Sequence, residues 1–331
     1  MKILFTADTH VKLWSDREFD EDGIPKRLNE IFSVLESMCQ HAIDNNIETI
    51  VIGGDINDTK GIVHVRAFVL LRNLIKKYTQ IKFIFLHGNH DASDKDASES
   101  AINLLDELSN VEVILEHTII DNMIFVPYSS HIVDDIVDSV DDAEDRILIS
   151  HFGLSDATLS NGISLKTKIS SKDLKKFKLV LLGHYHKPQN IGNVWYVGSP
   201  IPLKRDEHGE SKRFLIVDTE TFEVESIPTT GYRRYFEFVI EDEDAVESIF
   251  KEAAELKAQG HFVTIRNHIK ELPTQLAEQM TVIDEYEEEY QMRGITTGMT
   301  IAAQMEKYLE IERIPEDERE EFMNVGIEVL G

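Results

Sequence analysis

Seven side chains able to ligate a divalent ion stand directly after short apolar runs of this chain. Asp8 and His10 follow residues 2–7, Asp55 follows 50–52 and a Gly53-Gly54 pair, and Asn89 follows 81–86. His151 follows 146–150, and His184 and His186 follow 179–182 and Gly183. Each run is short and rich in Ile, Val, Leu or Phe, as a strand covered on both faces should be. Sites in α/β sheets gather at the carboxyl ends of strands. A mixed set of carboxylate, amide and imidazole donors suits Mn²⁺ or Fe²⁺ better than an all-thiolate set, which suits zinc. In Asp8-x-His10 and His184-x-His186 the two donors point the same way on an extended chain and can reach one site. Seven donors exceed what one ion needs and fit two ions sharing a carboxylate. Two cations roughly 3.5–4 Å apart acidify water at neutral pH and clamp both oxygens of an in-line phosphoryl displacement.

Taken singly, each piece has an ordinary reading. Asp-x-His after a strand serves turns, a lone histidine at a strand end is commonly just hydrogen-bonded, and Gly183-His184-Tyr185-His186 could be an exposed loop. Recurrence of the same pattern at five strand exits is what distinguishes the metal reading.

The elements that must position these residues can be read from periodicity. After the first strand and a polar loop, Pro25 opens a helix whose Leu28, Ile31, Leu35, Met38 and Ala42 line one face. The strand before Asp55 and a second helix with Phe68, Leu71, Ile75 and Tyr78 follow, then the strand at 81–86. This alternation is that of a doubly wound sheet. A helix is predicted at 98–108, strands at 111–115 and 123–126, a lysine-rich stretch at 160–178, and antiparallel strands at 194–197, 214–217 and 224–227. Thr229-Thr230-Gly231 marks a boundary. Beyond it a strand at 235–240, a helix at 243–258 and a strand at 261–266 make a small α/β cap. The acidic run 284–290 reads as a solvated face or linker, and 300–330 as two amphipathic helices broken at Pro315. The expected domains are therefore a core at 1–230, a cap at 231–298 and a helical tail at 299–331.

With 331 residues there is room for a large core and a smaller second domain. The net charge of −27 repels a free polyanion at long range, unless bound cations or a basic partner reverse it locally. Cys39 is the single cysteine, so no intrachain disulfide forms; it reads as helix core packing in a reducing, cytoplasmic setting. No apolar run approaches membrane-spanning length, and residues 1–5 lack the apolar region of a signal peptide, so no membrane association is expected.

The motifs Asp8-x-His10, Gly54-Asp55-x-x-Asp58, Gly88-Asn89-His90-Asp91, His151 and Gly183-His184-x-His186 resemble, in order and spacing, those of the calcineurin-like metallophosphoesterases. The resemblance implies a two-sheet αββα metallophosphoesterase sandwich, here with a small α/β cap domain and C-terminal helices. It implies that Asp8, His10, Asp55 and His186 hold one ion and Asp55, Asn89, His151 and His184 the other, with Asp55 bridging. The implied cofactors are two Mn²⁺, with Mg²⁺ or Fe²⁺ as alternatives. His90 is not in that ligand set; by resemblance it is catalytic, donating to a phosphoryl oxygen or the leaving group. Asp58 is placed like the carboxylate that orients this histidine, the ordinary reading being a helix N-cap.

The segment Tyr196-Val197-Gly198-Ser199-Pro200-Ile201-Pro202-Leu203, and Lys212-Arg213-Phe214 leading to Asp218, are similar to the SbcD-type double-strand-break-repair nucleases. What this implies is a DNA nuclease subunit with 3′→5′ exonuclease and structure-directed endonuclease activity, acting in recombination or repair. It further implies a homodimer formed through helices at 62–78 and 98–108. The implied partner is an SMC-like coiled-coil ATPase of SbcC type docking on the tail, where Met305, Leu309, Ile311, Phe322, Val325, Ile327 and Val329 are apolar. Archaeal and eukaryotic members carry a histidine where this chain has Asp58, so the likeness is to the bacterial and phage branch, and that histidine's role is not carried over. Lys166, Lys168, Lys204, Arg205, Arg233 and Arg234, with Lys212 and Arg213, are the DNA-contact candidates, against the alternative of a solvated basic surface. Two rivals stand beside the nuclease: a stand-alone phosphodiesterase or phosphatase on small molecules or phosphoproteins, and a DNA-end-binding scaffold with a vestigial metal site. The cap and tail weigh against the first, the complete ligand set against the second.

Overall fold

The computed structural model describes residues 1–14, 18–93, 100–129, 131, 143–269, 272, 280–285, 303, 306–309 and 319. It divides into two compact units: Met1–Phe236 with Gly260–Phe262, and Glu237–Gln259 with Val263–Gly331. In chain order the first unit contains β1 (Lys2–Thr6), α1 (Lys26–Asp44), β2 (Thr49–Ile52), α2 (Val65–Lys77), β3 (Lys82–Leu86) and β4 (Val111–Ile114). There follow β5 (Thr118–Ile120), β6 (Met123–Val126), β7 (Ile147–His151), β8 (Leu179–Gly183), β9 (Gln189–Ile191), β10 (Val194–Tyr196), β11 (Arg213–Asp218) and β12 (Val224–Pro228).

These strands make two six-stranded sheets, ordered β12-β11-β1-β2-β3-β4 and β5-β6-β7-β8-β10-β9. Strands β1 to β4 run parallel, as do β6, β7, β8 and β10, so their carboxyl ends share one edge of each sheet. Alternate residues divide each strand between two cores. Ile3 and Phe5 of β1, Val51 of β2 and Ile84 of β3 meet Phe125, Ile149 and Leu181 of the second sheet in the layer between the sheets. Leu4, Ile50, Ile52, Phe83 and Phe85 point the other way, under the apolar faces of α1 and α2. Both faces are thus dry, which is why the runs are uninterruptedly apolar. The second sheet's outer face carries Leu148, Val180 and Leu182 against Phe152, Leu154, Ile169, Leu174 and Phe177.

The sandwich is the expected one, with differences in detail. Among the described residues, the second sheet's outer layer is made of loops and a one-turn 3₁₀ helix, Ser171–Leu174, rather than α-helices. A Ser170–Asp173 capping box starts that turn, and no 3.6-residue apolar repeat extends it. The helix predicted at 98–108 is a 3₁₀ turn over Ala101–Leu105, with 98–99 outside the described residues. β10 pairs parallel with β8 and antiparallel with β9, while β11 returns to the first sheet antiparallel to β1. β5 and β9, three residues each, lie outside the strands expected from the sequence.

In the second unit, most of β13 (Tyr235–Ile240), α3 (Val246–Ala258), β14 (Phe262–Asn267) and β15 (Thr281–Asp284) form a three-stranded sheet with its helix. Ile240, Val246, Phe250, Ala253, Val263 and Ile265 are buried. Of the tail at 299–331 only residues 303, 306–309 and 319 are described, with Leu309 buried. The other tail positions singled out in the sequence, and the acidic run beyond Glu285, lie outside the described residues. No described helix is long and apolar enough to cross a membrane.

Cys39 sits inside the α1 core, and burial, then the neighbouring Glu36 charge, push its thiol up to about 12. Because the thiolate is the reactive form, the native chain is expected to ignore an aromatic disulfide reagent at pH 8 and to react stoichiometrically once unfolded. Rapid labelling of the native chain would contradict this packing.

Candidate metal centre

The first two strand exits stay side by side after the strands end. Asp8 N donates to Gly54 O (3.0 Å), His10 N to Asp55 O (3.1 Å) and Val11 N to Ile56 O (2.7 Å). This register holds Asp8, His10 and Asp55 together. To turn their side chains into one pocket the backbone takes left-handed values: φ is 54° at Asp8, 43° at His10, 52° at Asp55 and 94° at His184. Such positions cost of order 1–3 kcal/mol each and concentrate where function over-determines the geometry. Gly54, at φ 96°, leaves no room for a side chain: a Cβ there would lie 2.4 Å from His151 Nδ1. At Gly88 a Cβ would fall 2.2 Å from Asp55 N. These glycines make space for the protein's own His151 ring and Asp55 backbone to approach.

Distances show which groups converge. Asp8, His10 and His186 bring ligating atoms within 4.8 Å of one another, and so do Asp8, Asp55 and His151. Asp55 Oδ2 lies between two histidines, 3.2 Å from His151 Nε2 and 3.7 Å from His10 Nε2. Its Oδ1 accepts from His90 N at 2.8 Å. His10 Nε2 and His186 Nε2 are 3.1 Å apart, and His184 Nδ1 and Asn89 Oδ1 2.9 Å apart. The Asp8 carboxylate accepts from His184 N, 3.0 Å from each oxygen. All seven expected donors thus meet around Asp8 and Asp55.

Two tautomers follow from the partners. His151 Nδ1 faces Gly53 O at 2.8 Å and His186 Nδ1 faces Glu207 Oε1 at 2.9 Å. Since both partners only accept, each Nδ1 carries a hydrogen, and in the neutral ring that ligation requires each Nε2 offers a lone pair. Lone pairs and buried carboxylates aimed at one another repel unless cations sit among them. The donor set therefore fits a pair of borderline divalent ions.

Electrostatics follow the same arrangement. Burial works to raise Asp55, but His151 and His10 outweigh it and hold the carboxyl far below its usual range. Burial alone would lower His151; Asp55 and Asp8 push it instead up to about 9. His184 is brought down to about 3, by burial and then by His151. Asp91, buried and near Asp55, is pushed up to about 7, and its oxygens accept from Asn57 N (2.9 Å) and Gly88 N (3.0 Å). It ties the Asp55 and Asn89 loops together.

A cleft of about 240 Å³ opens on these groups; His10, Asp55, Asn89, His90, His184 and His186 line it together with Lys12 and Lys204. His90 stands edge-on to His10, ring centroids 4.9 Å apart. What holds it differs from the expectation. His90 Nδ1 contacts the Asp58 backbone carbonyl (2.5 Å), whereas the Asp58 carboxylate takes Lys12 Nζ (2.8 Å) and lies 3.5 Å from His10 Nδ1. The carboxylate is drawn to the charged lysine, which spacing within the Gly54–Asp58 motif did not reveal.

The basic candidates separate sharply. Lys166, Lys168 and Lys204 are exposed, Lys204 on the cleft itself. Arg205 and Arg234 are half-buried, Arg234 lying over Phe236 at 5.6 Å. Arg233 is buried, with Nε 2.7 Å from Glu30 Oε1, and Lys212 is wholly buried. These last two neutralise buried carboxylates and are not surface phosphate contacts. Glu207, 21 residues from His186 and on another loop, contacts that histidine directly, which no local spacing indicates. The Gly198-Ser199-Pro200 turn that brings it back was the available signal.

Residues 1–188, more than half the chain, match the calcineurin-like phosphoesterase family. Exonuclease subunit 1 of enterobacteria phage T4 is 26% identical over 250 residues, covering 71% of this chain and 70% of that one. The SbcD component of the SbcCD nuclease of Staphylococcus epidermidis is 24% identical over 259 residues, 66% of each chain, just under two thirds of that relative. Among solved structures, an archaeal phosphodiesterase is 15% identical, with a TM-score of 0.35 over 69% of this chain and 99% of that one, too low a score to argue from. The matched stretch contains every residue of the centre from Asp8 to His186, and the chain belongs to the calcineurin-like phosphoesterase family.

Proposed function

We propose that this chain is the nuclease subunit of a DNA recombination or repair machine, a phosphodiesterase with 3′→5′ exonuclease and structure-directed endonuclease activity. The observation that carries the hydrolytic part is the facing of His10 Nε2 and His186 Nε2, 3.1 Å apart beside buried Asp8 and Asp55. The names of the two relatives, an exonuclease subunit and a nuclease subunit, support a nucleic acid as the substrate.

Asp8, His10, Asp55 and His186 would hold one Mn²⁺, and Asp55, Asn89, His151 and His184 the other. The ions would supply Lewis-acid charge for the phosphoryl oxygens and acidify water at neutral pH. The chain's own groups do the remainder. His90, whose Nδ1–H donates to the Asp58 carbonyl, would act in its doubly protonated form, giving the proton on its other nitrogen to a phosphoryl or leaving oxygen. Lys12 and Lys204, on the cleft wall, offer local positive charge to a phosphodiester that the −27 chain repels at a distance. Lys166 and Lys168 extend that path.

The test uses nicked and blunt DNA with Mn²⁺, Mg²⁺ or EDTA, beside a chromogenic phosphodiester. DNA cleavage should need the metal, and His90→Ala should slow it about 10²–10⁴-fold while Mn²⁺ still binds. Cleavage of the small ester alone would replace the nuclease with a small-molecule phosphodiesterase; cleavage of neither would leave a scaffold.

The homodimer reading is supported by Ile62 (56% exposed), Val65 (77%), Val69 (46%) and Leu104 (57%), bulky apolar groups standing in water. Val65→Asp should turn a dimer into a monomer by light scattering with its circular dichroism unchanged; a dimer that survives rejects this face. An SMC-like ATPase of SbcC type is the proposed partner, docking on 299–331. Truncation after residue 299 should abolish its co-purification with the nuclease, and retained binding would remove the tail from the interface.

A further inference from the structure

Glu207 and Lys212 are 1% and 0% exposed, a charged pair sealed inside the first unit. Glu207 ends the 3₁₀ turn Arg205–Glu207, and Lys212 immediately precedes β11. Every polar atom of the pair is used. Glu207 Oε1 accepts from His186 Nδ1 at 2.9 Å, and Oε2 from Leu203 N (2.9 Å), Ser199 Oγ (3.2 Å) and Lys212 Nζ (2.7 Å). The ammonium has three hydrogens, and they find three oxygens: Glu207 Oε2, Glu210 Oε2 (2.6 Å) and the His186 carbonyl (2.8 Å).

A buried ion pair adds little net stability over an apolar pair of similar volume, so stability alone does not explain this one. What it does geometrically is hold His186 at both ends. The carboxylate fixes the ring through Nδ1, and the ammonium fixes the backbone through the carbonyl of the same residue. His151 is treated differently, its Nδ1 meeting only the neutral Gly53 carbonyl. A carboxylate behind an imidazole locks its tautomer and raises its basicity as a ligand more than a carbonyl does.

We propose that Glu207, anchored by Lys212, is a positioning residue for His186, and that it makes the ion position shared by Asp8, His10 and His186 the tighter of the two. This rests on the reading of the Asp/His cluster as a metal centre. Glu207→Gln keeps the shape and an accepting oxygen but removes the charge.

Calorimetric titration of the full chain with Mn²⁺, after stripping with EDTA, tests it. The unaltered chain should take up two ions in resolved steps. Glu207→Gln should weaken the tighter step about 10–100-fold and leave the other unchanged. Asp206→Asn, which removes an exposed neighbouring charge, should alter neither. The double variant Glu207→Gln/Lys212→Met removes both buried charges, guards against misfolding from a stranded ammonium, and should reproduce the loss in the same step. Nitrogen-15 spectra should show His186 keeping its Nδ1–H but with a weaker hydrogen bond at that nitrogen in both variants, since the charge behind it is gone. Unchanged steps, or two steps weakened together in parallel with a lower metal-free Tm, would overturn the assignment. Absence of Mn²⁺ uptake by the unaltered chain would instead overturn the metal centre itself.

Discussion

Two carboxylates placed in a dry pocket, with imidazole lone pairs aimed at them, are the constraint around which the rest is arranged. Asp8 and Asp55 are buried at 0% and 2% exposure, and charge in such surroundings is expensive unless compensated. Compensation comes partly from the peptide chain: His184 N on Asp8, and His90 N on Asp55. It comes partly from His151, whose proton affinity rises because Asp55 is 3.2 Å away. The proposed divalent ions would supply the rest, and ligation needs those imidazoles neutral. Left-handed backbone at Asp8, His10, Asp55 and His184 is the local cost of aiming so many donors at one point. The parallel sheets meet that cost, because β1, β2 and β3 are fixed on both faces by the two helices and the second sheet.

Strand ends and the donor residues that follow them were legible in the sequence because both are local. A dry strand is an apolar run, and a residue at its exit is a neighbour in the chain. The helices α1 and α2 were legible through Leu28, Ile31, Leu35, Leu71 and Ile75, whose spacing matches the helical period. Contacts between distant segments were not. Nothing near Arg233 announces that Glu30, 203 residues earlier, will take its guanidinium. Lys212 and Arg233 looked like surface bases because a basic residue in a polar stretch is usually solvated, and only the folded chain shows their carboxylate partners. The Asp58 side chain illustrates the same point at short range, since Lys12 enters from the β1 exit and claims it. The 3₁₀ turns at Ala101–Leu105 and Ser171–Leu174 lack the repeat that makes longer helices readable.

The loop from Gly198 to Lys212 shows how a segment outside the ligand motifs still shapes the centre. Its Pro202 carbonyl accepts from the Arg27 guanidinium, and Arg27 also pairs with Glu30 at 2.8 Å. Tyr235 and Phe262, stacked 4.8 Å apart, lie under the same guanidinium, each 5.6 Å from it. The segments by which the chain leaves and re-enters the first unit are therefore pinned to α1 and to the loop that carries Glu207. Arg27 has a planar fork able to serve these partners together, which a lysine could not.

The place of β1 in its sheet bears on how the molecule is made. β1 lies between β2 and β11, so the strand that leads to Asp8 has its second neighbour only when residues 213–218 arrive. A chain emerging from the ribosome carries every donor of the centre by His186, yet β1 then still presents one bare edge. Unpaired edges invite other chains, and pairings of such long sequence separation form slowly. Until Asp218 has been made the protein is open to mispairing along β1, and in the stretch after His186 all seven donors are present beside a first sheet that is still open.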